Sequence, residues 1–219
     1  MKQYSGNKLA YETKYLGVHP EWHLAGVDEA GRGPLVGPVV AAAVSMPLAL
    51  AQTLAIGDLA GLNDSKQLSE NKRELFFHTL TNTPEIDFGV GIVSAQEIDK
   101  INILNATHLA MRRAILSLKS PADFALVDGL RVKGLPCEHE AIVKGDAKSF
   151  FIAAASVIAK VTRDHSLVEL DKKFPEYGFA KHKGYGTAEH LEALRKYGPC
   201  PEHRRTFKPV AELDQMLLF

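Results

Sequence analysis

The chain has 219 residues, of which 46% are hydrophobic, and this length and composition suit one folded domain with a sizeable buried core. Its 26 basic residues balance 26 acidic ones, so the net charge indicates neither a nucleic-acid nor a membrane partner. The two cysteines, Cys137 and Cys200, are too few and too far apart for a disulfide framework or a metal knuckle.

The start of the chain has no apolar core of the kind that a signal peptide needs. The largely apolar run at residues 35–50 is interrupted by glycine and proline and is too short to span a bilayer. We therefore expect a soluble, cytoplasmic protein, and a monomer.

Short apolar segments predict about five strands, at residues 24–28, 36–46, 88–92, 124–127 and 141–143. In the third segment the apolar residues alternate with Gly89 and Gly91, which indicates close approach of another backbone on one face.

Helices are predicted between and after these strands. Ser69 begins one helix, and Ser94 with Glu97 forms a capping box that begins another, with apolar positions as far as Ile115. Residues 149–163 are alanine-rich and apolar on most sides, which is typical of a helix packed directly on a sheet. Thr187 can cap a last helix that ends at Gly198. The pattern predicts an α/β fold, a mixed sheet flanked by helices with a helical C-terminal segment.

Four acidic residues lie where predicted strands or their extensions end. Asp28 and Glu29 close the first strand, Asp128 closes the fourth, and Asp146 follows the fifth. Carboxylate oxygens are the ligands that Mg²⁺ prefers. Two such ions roughly 3.5–4 Å apart can activate water and stabilise the leaving oxygen of a phosphodiester. The sequence alone does not establish that these acids converge.

Each acid also has a purely structural interpretation. Asp28 and Glu29 would point to opposite faces of a regular strand, so they share a site only if the strand breaks there. Asp128 and the glycine after it could form a turn, and Asp146 could cap a helix that begins near Ala147.

Nine basic residues against four acidic ones lie between Lys172 and Lys208. Such a stretch can neutralise phosphates, but it can equally be a solvated helix face.

Seven motifs follow one another in order and together span nearly the whole chain from Gly26 to about Pro209. They are residues 26–33 (GVDEAGRG), 63–66 (NDSK), 126–129 (LVDG), 144–146 (KGD), 152–164 (IAAASVIAKVTRD), 182–187 (HKGYGT) and 203–207 (HRRTF). In sequence and order they resemble the motifs of the ribonuclease HII family.

This resemblance implies an RNase H-like fold and an endonuclease that hydrolyses the RNA strand of RNA–DNA hybrids. It also implies incision 5′ of single ribonucleotides in duplex DNA. The implied catalytic and metal-binding quartet is Asp28, Glu29, Asp128 and Asp146, holding two Mg²⁺ or Mn²⁺ ions with substrate bound. The implied division is an N-terminal extension (1–21), a catalytic domain with the helical segment (22–210) and a tail (211–219).

Substrate contacts are implied for the loop Gly31-Arg32-Gly33, for Lys66 and for Tyr185. Glycines let the backbone approach a sugar closely, and the 2′-hydroxyl is the group that separates RNA from DNA. Tyr185 matches a family tyrosine that lies against the sugar on the 3′ side of the ribonucleotide. Its ring could instead pack on the core, and Lys66 could be an ordinary surface lysine. Asp164 is expected to pair with Lys160 or Arg163 and is left out of the metal site.

Two alternatives remain open. The ribonuclease HIII family shares the fold but carries a long N-terminal substrate-binding domain, whereas here 27 residues precede Asp28. A non-catalytic nucleic-acid-binding domain would have no use for four acids facing an anionic ligand.

The last five residues, Gln215 to Phe219, resemble the short peptide by which bacterial replication and repair proteins dock on the sliding clamp. Alternatively, Leu213, Met216 and Leu217 pack back on the domain as a last helical turn.

Overall fold

The computed structural model describes residues 8–216, with side chains described as far as Leu213. The strands in this range are β1 (Leu24–Ala30), β2 (Val39–Ser45), β3 (Asp87–Val93), β4 (Phe124–Asp128) and β5 (Glu138–Ile142). The helices are α1 (Ala10–Val18), α2 (Leu48–Ile56), α3 (Glu70–Asn82), α4 (Ala95–Leu116), α5 (Gly145–Lys148), α6 (Phe150–Lys173), α7 (Phe179–His182), α8 (Ala188–Tyr197) and α9 (Lys208–Met216). Short 3-10 turns lie at Ser65–Gln67 and Pro175–Tyr177.

The strands form one mixed sheet in the order β3-β2-β1-β4-β5. β1, β2 and β3 pair antiparallel, whereas β4 and β5 run parallel to β1. Val27 is paired with Val127, and the next residue on each strand is an aspartate. The parallel register therefore places Asp28 and Asp128 side by side at the same edge of the sheet.

One helix packs directly on each face of the sheet. α6 lies against β1 and β2, so closely that a Cβ on Gly26 would meet the Phe151 backbone at 2.2 Å. On the other face, a Cβ on Gly89 or Gly91 would lie 2.2 or 2.0 Å from a carbonyl oxygen of α4. The close approach predicted from these two glycines is confirmed, and so is the mixed sheet flanked by helices.

Four predicted elements differ in detail from the structure. Two differ only in length: β2 begins at Val39 rather than at residue 36, and α6 continues to Lys173 rather than ending at residue 163. β5 begins at Glu138 rather than near residue 141, because it is an edge strand whose first residues are polar and partly exposed. The predicted α4 begins at its capping box but is interrupted at Asn102, where φ is 64°. The apolar pattern of the predicted helix includes Leu104, but this kink rotates the following turn and Leu104 is 52% exposed.

The ends of the described chain pack on this framework. The α1 residue Glu12 is fully buried against the start of α6. α7 to α9 form the predicted helical C-terminal segment, with Leu194 and Val210 in a small cluster of their own. None of the helices formed by residues 8–216 is long and apolar enough to cross a membrane. The division at residues 21/22 and 210/211 stays a prediction.

Candidate active site

Asp28 and Glu29 lie at the end of β1 and both line the same cavity. The strand does not break between them, because β1 stays paired with β2 as far as Ala30. Pairing with β4 ends at Val27, and the Asp28 side chain accepts the next backbone N–H, that of Glu29, at 2.7 Å. The expectation that the strand must break was thus wrong. Beyond Val27, β1 is no longer paired with β4, and this leaves the β4 side of the strand open to both carboxylates.

Asp128 and Asp146 are joined through a tight turn. Asp128 Oδ1 accepts a 2.6 Å hydrogen bond from the N–H of Gly145, at the start of the short helix α5. Lys144, in the left-handed conformation with φ 58°, turns the chain so that Asp146 reaches the cavity. Asp146 does not act as a helix cap, since it lies inside α5 and Ser149 caps α6.

The other predicted substrate contacts surround the acids. Arg32 is an exposed residue whose guanidinium lies 3.3 Å from Glu29. Lys66 projects from the 3-10 turn that Asp64 caps. Tyr185 is 44% exposed, and its ring would lie 3.8 Å from a Cβ on Gly33, so the ring faces the glycine loop rather than packing on the core.

One cavity of about 190 Å³ brings together all nine residues singled out in the sequence. They are Asp28, Glu29, Gly31, Arg32, Gly33, Lys66, Asp128, Asp146 and Tyr185. Asp164 is excluded, as expected: its carboxylate pairs with Lys160 at 2.7 Å. Spacing along the chain could not establish this convergence, which depends on the β1–β4 register.

Five residues that had not been assigned to the site from the sequence also line the cavity, and the fifth of them is Ala30, the last residue of β1. Ser156, Lys160 and Arg163 recur at i, i+4 and i+7 on one face of α6, a spacing that could have revealed them. Ser156 hydrogen-bonds Asp28 and lies 2.9 Å from the hydroxyl of Ser65, the fourth of these residues.

The surroundings of three of the acids disfavour their ionised forms when no cation is bound. Burial, and then repulsion from Glu29 and Asp128, raises the pKa of Asp28 well above its usual range. Burial likewise raises the pKa of Glu29, although Arg32 opposes the shift. Burial, followed by repulsion from Asp128 and Asp64, raises the pKa of Asp146.

The donor set fits a hard divalent cation. All four acids line one cavity, and the raised pKa values of Asp28, Glu29 and Asp146 mark excess negative charge that a cation would neutralise. Over residues 8–213, however, no three acidic, histidine or cysteine side chains are gathered tightly enough to form a ready ligand set. The cavity therefore supplies carboxylates for a cation without three of them already gathered around one point.

The basic stretch at residues 172–208 does not form one uniform charged face. Lys172 and Lys181 pair with Glu169 and Glu189, while Arg204 is fully buried. Only part of this stretch is thus available to phosphates.

A five-stranded mixed sheet with a helix on each face and acids at adjacent strand ends defines a ribonuclease H-like enzyme. Residues 25–210 match the model of the family described as Ribonuclease HII. The chain is 56% identical over 200 residues to Ribonuclease HII of Acetivibrio thermocellus, covering 91% of this chain and 73% of that protein. This chain belongs to the ribonuclease HII family, whose members cleave RNA in RNA–DNA hybrids.

Two solved structures are similar over most of the chain. Ribonuclease H2 of Pyrococcus horikoshii OT3 has a TM-score of 0.74 at 30% identity, covering 89% of this chain and 98% of that one. Ribonuclease HII of Archaeoglobus fulgidus, solved in complex with PCNA, has a TM-score of 0.68 at 28% identity, covering 84% and 95%. Both comparisons agree with the RNase H-like fold.

Proposed function

We propose that this ribonuclease H hydrolyses the RNA strand of hybrids and also incises 5′ of single ribonucleotides in duplex DNA, leaving 3′-hydroxyl and 5′-phosphate ends. The observation that carries the proposal is the single cavity in which four carboxylates adjoin a glycine loop and an exposed tyrosine. Acids would repel a phosphodiester unless cations intervened, which argues against a non-catalytic binding domain. The HIII alternative is disfavoured because the family match is to Ribonuclease HII.

Asp28, Glu29, Asp128 and Asp146 would hold two Mg²⁺ or Mn²⁺ ions. When bound, such ions lower the pKa of water and stabilise charge on the leaving oxygen. Asp28 is held for this role by the Glu29 N–H and Ser156, and Asp128 by the Gly145 N–H. Lys66, on the exposed turn beside Glu29 and Asp146, would contact a phosphate.

Selection of the cleavage site would depend on the glycine loop and Tyr185. Gly31-Arg32-Gly33 offers backbone groups to the ribose 2′-hydroxyl, and Gly33 leaves room for the Tyr185 ring. A ring against the sugar on the 3′ side would reject a second hydroxyl by contact and so recognise one RNA–DNA junction. This selectivity would suit a role in DNA repair in the cytoplasm.

The experiment is cleavage of end-labelled 20-base-pair duplexes with Mg²⁺, with Mn²⁺ and with EDTA. One duplex carries a single ribonucleotide, one is an RNA–DNA hybrid and one is all DNA. We expect metal-dependent cutting of the first two, with the ribose retained on the 5′ end of the 3′ fragment. Cutting in EDTA, or equal cutting of the all-DNA duplex, would contradict the proposal.

We propose in addition that residues 215–219 dock on a sliding clamp. The complex of the Archaeoglobus fulgidus relative with PCNA supports this partner class. Residues 217–219 and the side chains of Gln215 and Met216 lie outside the described part. Leu213 packs near Leu35, Leu194 and Val210, so the helix leading to the tail is anchored on the domain.

A further inference from the structure

Two arginines are buried beneath the glycine loop. Arg204 is fully buried and Arg163 is 1% exposed. A buried charge is normally compensated by an acid or by several hydrogen bonds. Among the contacts described for residues 8–213, the guanidinium hydrogen bonds of both arginines all go to backbone carbonyls.

Arg204 binds one loop at four points. Its guanidinium donates to the carbonyl oxygens of Gly31 (2.6 Å), Arg32 (3.1 Å), Pro34 (2.8 Å) and Gly37 (3.0 Å). The segment around Arg204 is itself held, because the Asp99 carboxylate accepts the N–H groups of Arg205 and Thr206. One side chain therefore contacts the loop at four places between residue 31 and residue 37.

These bonds also orient the amides of the loop. In a trans peptide the C=O and the following N–H point in opposite directions. With the carbonyls of Gly31 and Arg32 turned inward to Arg204, the N–H groups of Arg32 and Gly33 point away from it. Neither N–H has a hydrogen-bond partner among the described residues, and both residues line the cavity. The loop thus presents two free donors beside the carboxylates.

Arg163 joins this loop to the one that carries Tyr185. It donates to the carbonyls of Pro38 (3.1 Å), Val36 (3.2 Å) and Lys183 (3.0 Å). There is no space between the guanidinium and the loop, since a Cβ on Gly31 would lie 2.1 Å from Arg163 Nε. A backbone hydrogen bond also joins the two loops: the Leu35 N–H donates to the Gly184 carbonyl at 2.9 Å.

Both groups stay charged at neutral pH. Burial lowers the pKa of Arg163 to about 10, and burial together with repulsion from Arg163 lowers that of Arg204 to about 9. Lysine could not substitute for either, because its ammonium is a compact point charge without the planar fork that reaches several carbonyls at once.

We infer that Arg204 and Arg163 are positioning residues for ribose recognition: they hold the carbonyls of residues 31, 32, 34, 36, 37, 38 and 183 so that the Arg32 and Gly33 N–H groups face the 2′-hydroxyl. This inference rests on the proposed function, in which the glycine loop recognises the ribose 2′-hydroxyl. It assigns no contact with substrate to either arginine.

The test measures binding of fluorescent duplexes by anisotropy, with one ribonucleotide or with DNA only, in Ca²⁺, an oxygen-binding cation that lacks the strict octahedral geometry of Mg²⁺ and can offset the charge of the carboxylates. Unmodified protein should prefer the ribonucleotide duplex. Arg204→Lys should lose that preference and keep its affinity for the all-DNA duplex, which depends on phosphate contacts. With Mg²⁺, its kcat/KM should fall about 100-fold, the effect of a 1 Å misplacement. Mn²⁺ binding by calorimetry should be unchanged, since the carboxylates are not held by Arg204.

Arg205→Lys is the matched control: it removes the neighbouring guanidinium, which is exposed, and should keep the preference. If the unmodified protein shows no preference, the proposal that the loop recognises the ribose is contradicted, and so is the inference that rests on it. If the unmodified protein prefers the ribonucleotide duplex and a folded Arg204→Lys does so equally, the inference alone is overturned. Arg163→Lys gives an independent second variant with the same expected loss.

A measurement without any substitution covers the case in which these variants do not fold. In ¹⁵N-labelled protein the Nε–H protons of Arg163 and Arg204 should exchange slowly with solvent, unlike that of exposed Arg112. The Arg32 and Gly33 amide resonances should shift with the ribonucleotide duplex and not with the all-DNA duplex. Fast exchange at Arg204, or equal shifts with both duplexes, would overturn the inference.

Discussion

Asp128 Oδ1 and the backbone N–H of Gly145 are joined by a 2.6 Å hydrogen bond that ties the end of β4 to the turn carrying Asp146. The same carboxylate neighbours Asp28 across the parallel β1–β4 register. Asp128 therefore lies between the acid of one strand and the acid of a helical turn. Its charge also raises the pKa values of Asp28, Glu29 and Asp146.

Replacing Asp128 by Asn should abolish most cleavage and leave the fold intact. Asn retains an oxygen that can accept the Gly145 N–H, so the turn is kept, but the charge that the cations require is lost. Changes even to groups that only support metal ligands typically cost 10–100-fold, so we expect a loss of at least about 100-fold in kcat/KM. The measurement is single-turnover cleavage of the ribonucleotide duplex together with thermal unfolding.

Asp58→Asn is the control for this prediction, since it makes the same change at an exposed aspartate after α2. It should cleave normally. Near-normal cleavage by a folded Asp128→Asn protein would show that the quartet is wrongly assigned.

Tyr185→Ala should weaken cleavage at a single ribonucleotide, whereas Tyr185→Phe should not. The ring is exposed to the cavity beside Gly33, so the expected contact is made by the ring face rather than by the hydroxyl. One stacking contact is worth ~1–3 kcal/mol, which corresponds to a loss of roughly 5- to 150-fold for the alanine variant. Comparison of kcat/KM for the single-ribonucleotide duplex and the hybrid tests this, because a uniform loss on both would indicate general damage to the site.

The sequence could predict the acids but not what holds the loops around them. Asp28 and Asp128 end recognisable apolar strands, and parallel pairing then brings them together. In the sequence, by contrast, nothing distinguishes Arg204 from the other basic residues between Lys172 and Lys208. Its four carbonyl partners lie 167 to 173 residues away, and hydrogen bonds to backbone leave no pattern in side-chain types.

The sequence likewise could not predict where β5 begins or that α4 is kinked. An edge strand such as β5 needs few apolar residues, so only its end is visible in the sequence. The kink at Asn102 has a local cause that the hydrophobic periodicity does not contain, since Asn102 accepts the Asn105 N–H and starts a new helical turn. The hydrophobic periodicity therefore predicted one regular helix with Leu104 on its apolar face.

Glu12 supplies a prediction for pH-dependent stability. Its carboxylate accepts the Ser149 hydroxyl at 2.6 Å and the Phe151 N–H at 2.9 Å, and its second oxygen is buried with no hydrogen-bond partner among residues 8–213. Burial raises the pKa of Glu12 above 4.5, so the folded state holds a proton that the unfolded state has released. The free energy of unfolding should therefore fall as pH rises from about 4.5 through the raised pKa.

Glu12→Gln cannot titrate, so its stability relative to the unmodified protein should rise across that pH window and then stay level. Glu12→Ala should be less stable by about 1–3 kcal/mol, because two donors at the start of α6 lose their acceptor. Urea unfolding followed by circular dichroism between pH 4 and 8 measures both, with exposed Glu85→Gln as the control. A constant difference between Glu12→Gln and the unmodified protein across this range would contradict the assignment of the raised pKa.

The last prediction concerns the segment from Gln215 to Phe219. If it docks on a sliding clamp, Leu218 and Phe219 would fill an apolar pocket and Gln215 would hydrogen-bond at its edge, a few anchors that carry most of the affinity. A protein ending at Asp214 keeps Leu213, which packs on the domain, and should fold and cleave normally. Calorimetry with a purified bacterial clamp should then show binding by the full-length chain only. The replacement of Leu218 and Phe219 by Ala in the full-length chain is the matched variant and should also lose binding. Equal binding by the full-length and shortened chains, or none by either at micromolar concentration, would leave the tail as a purely structural turn of α9.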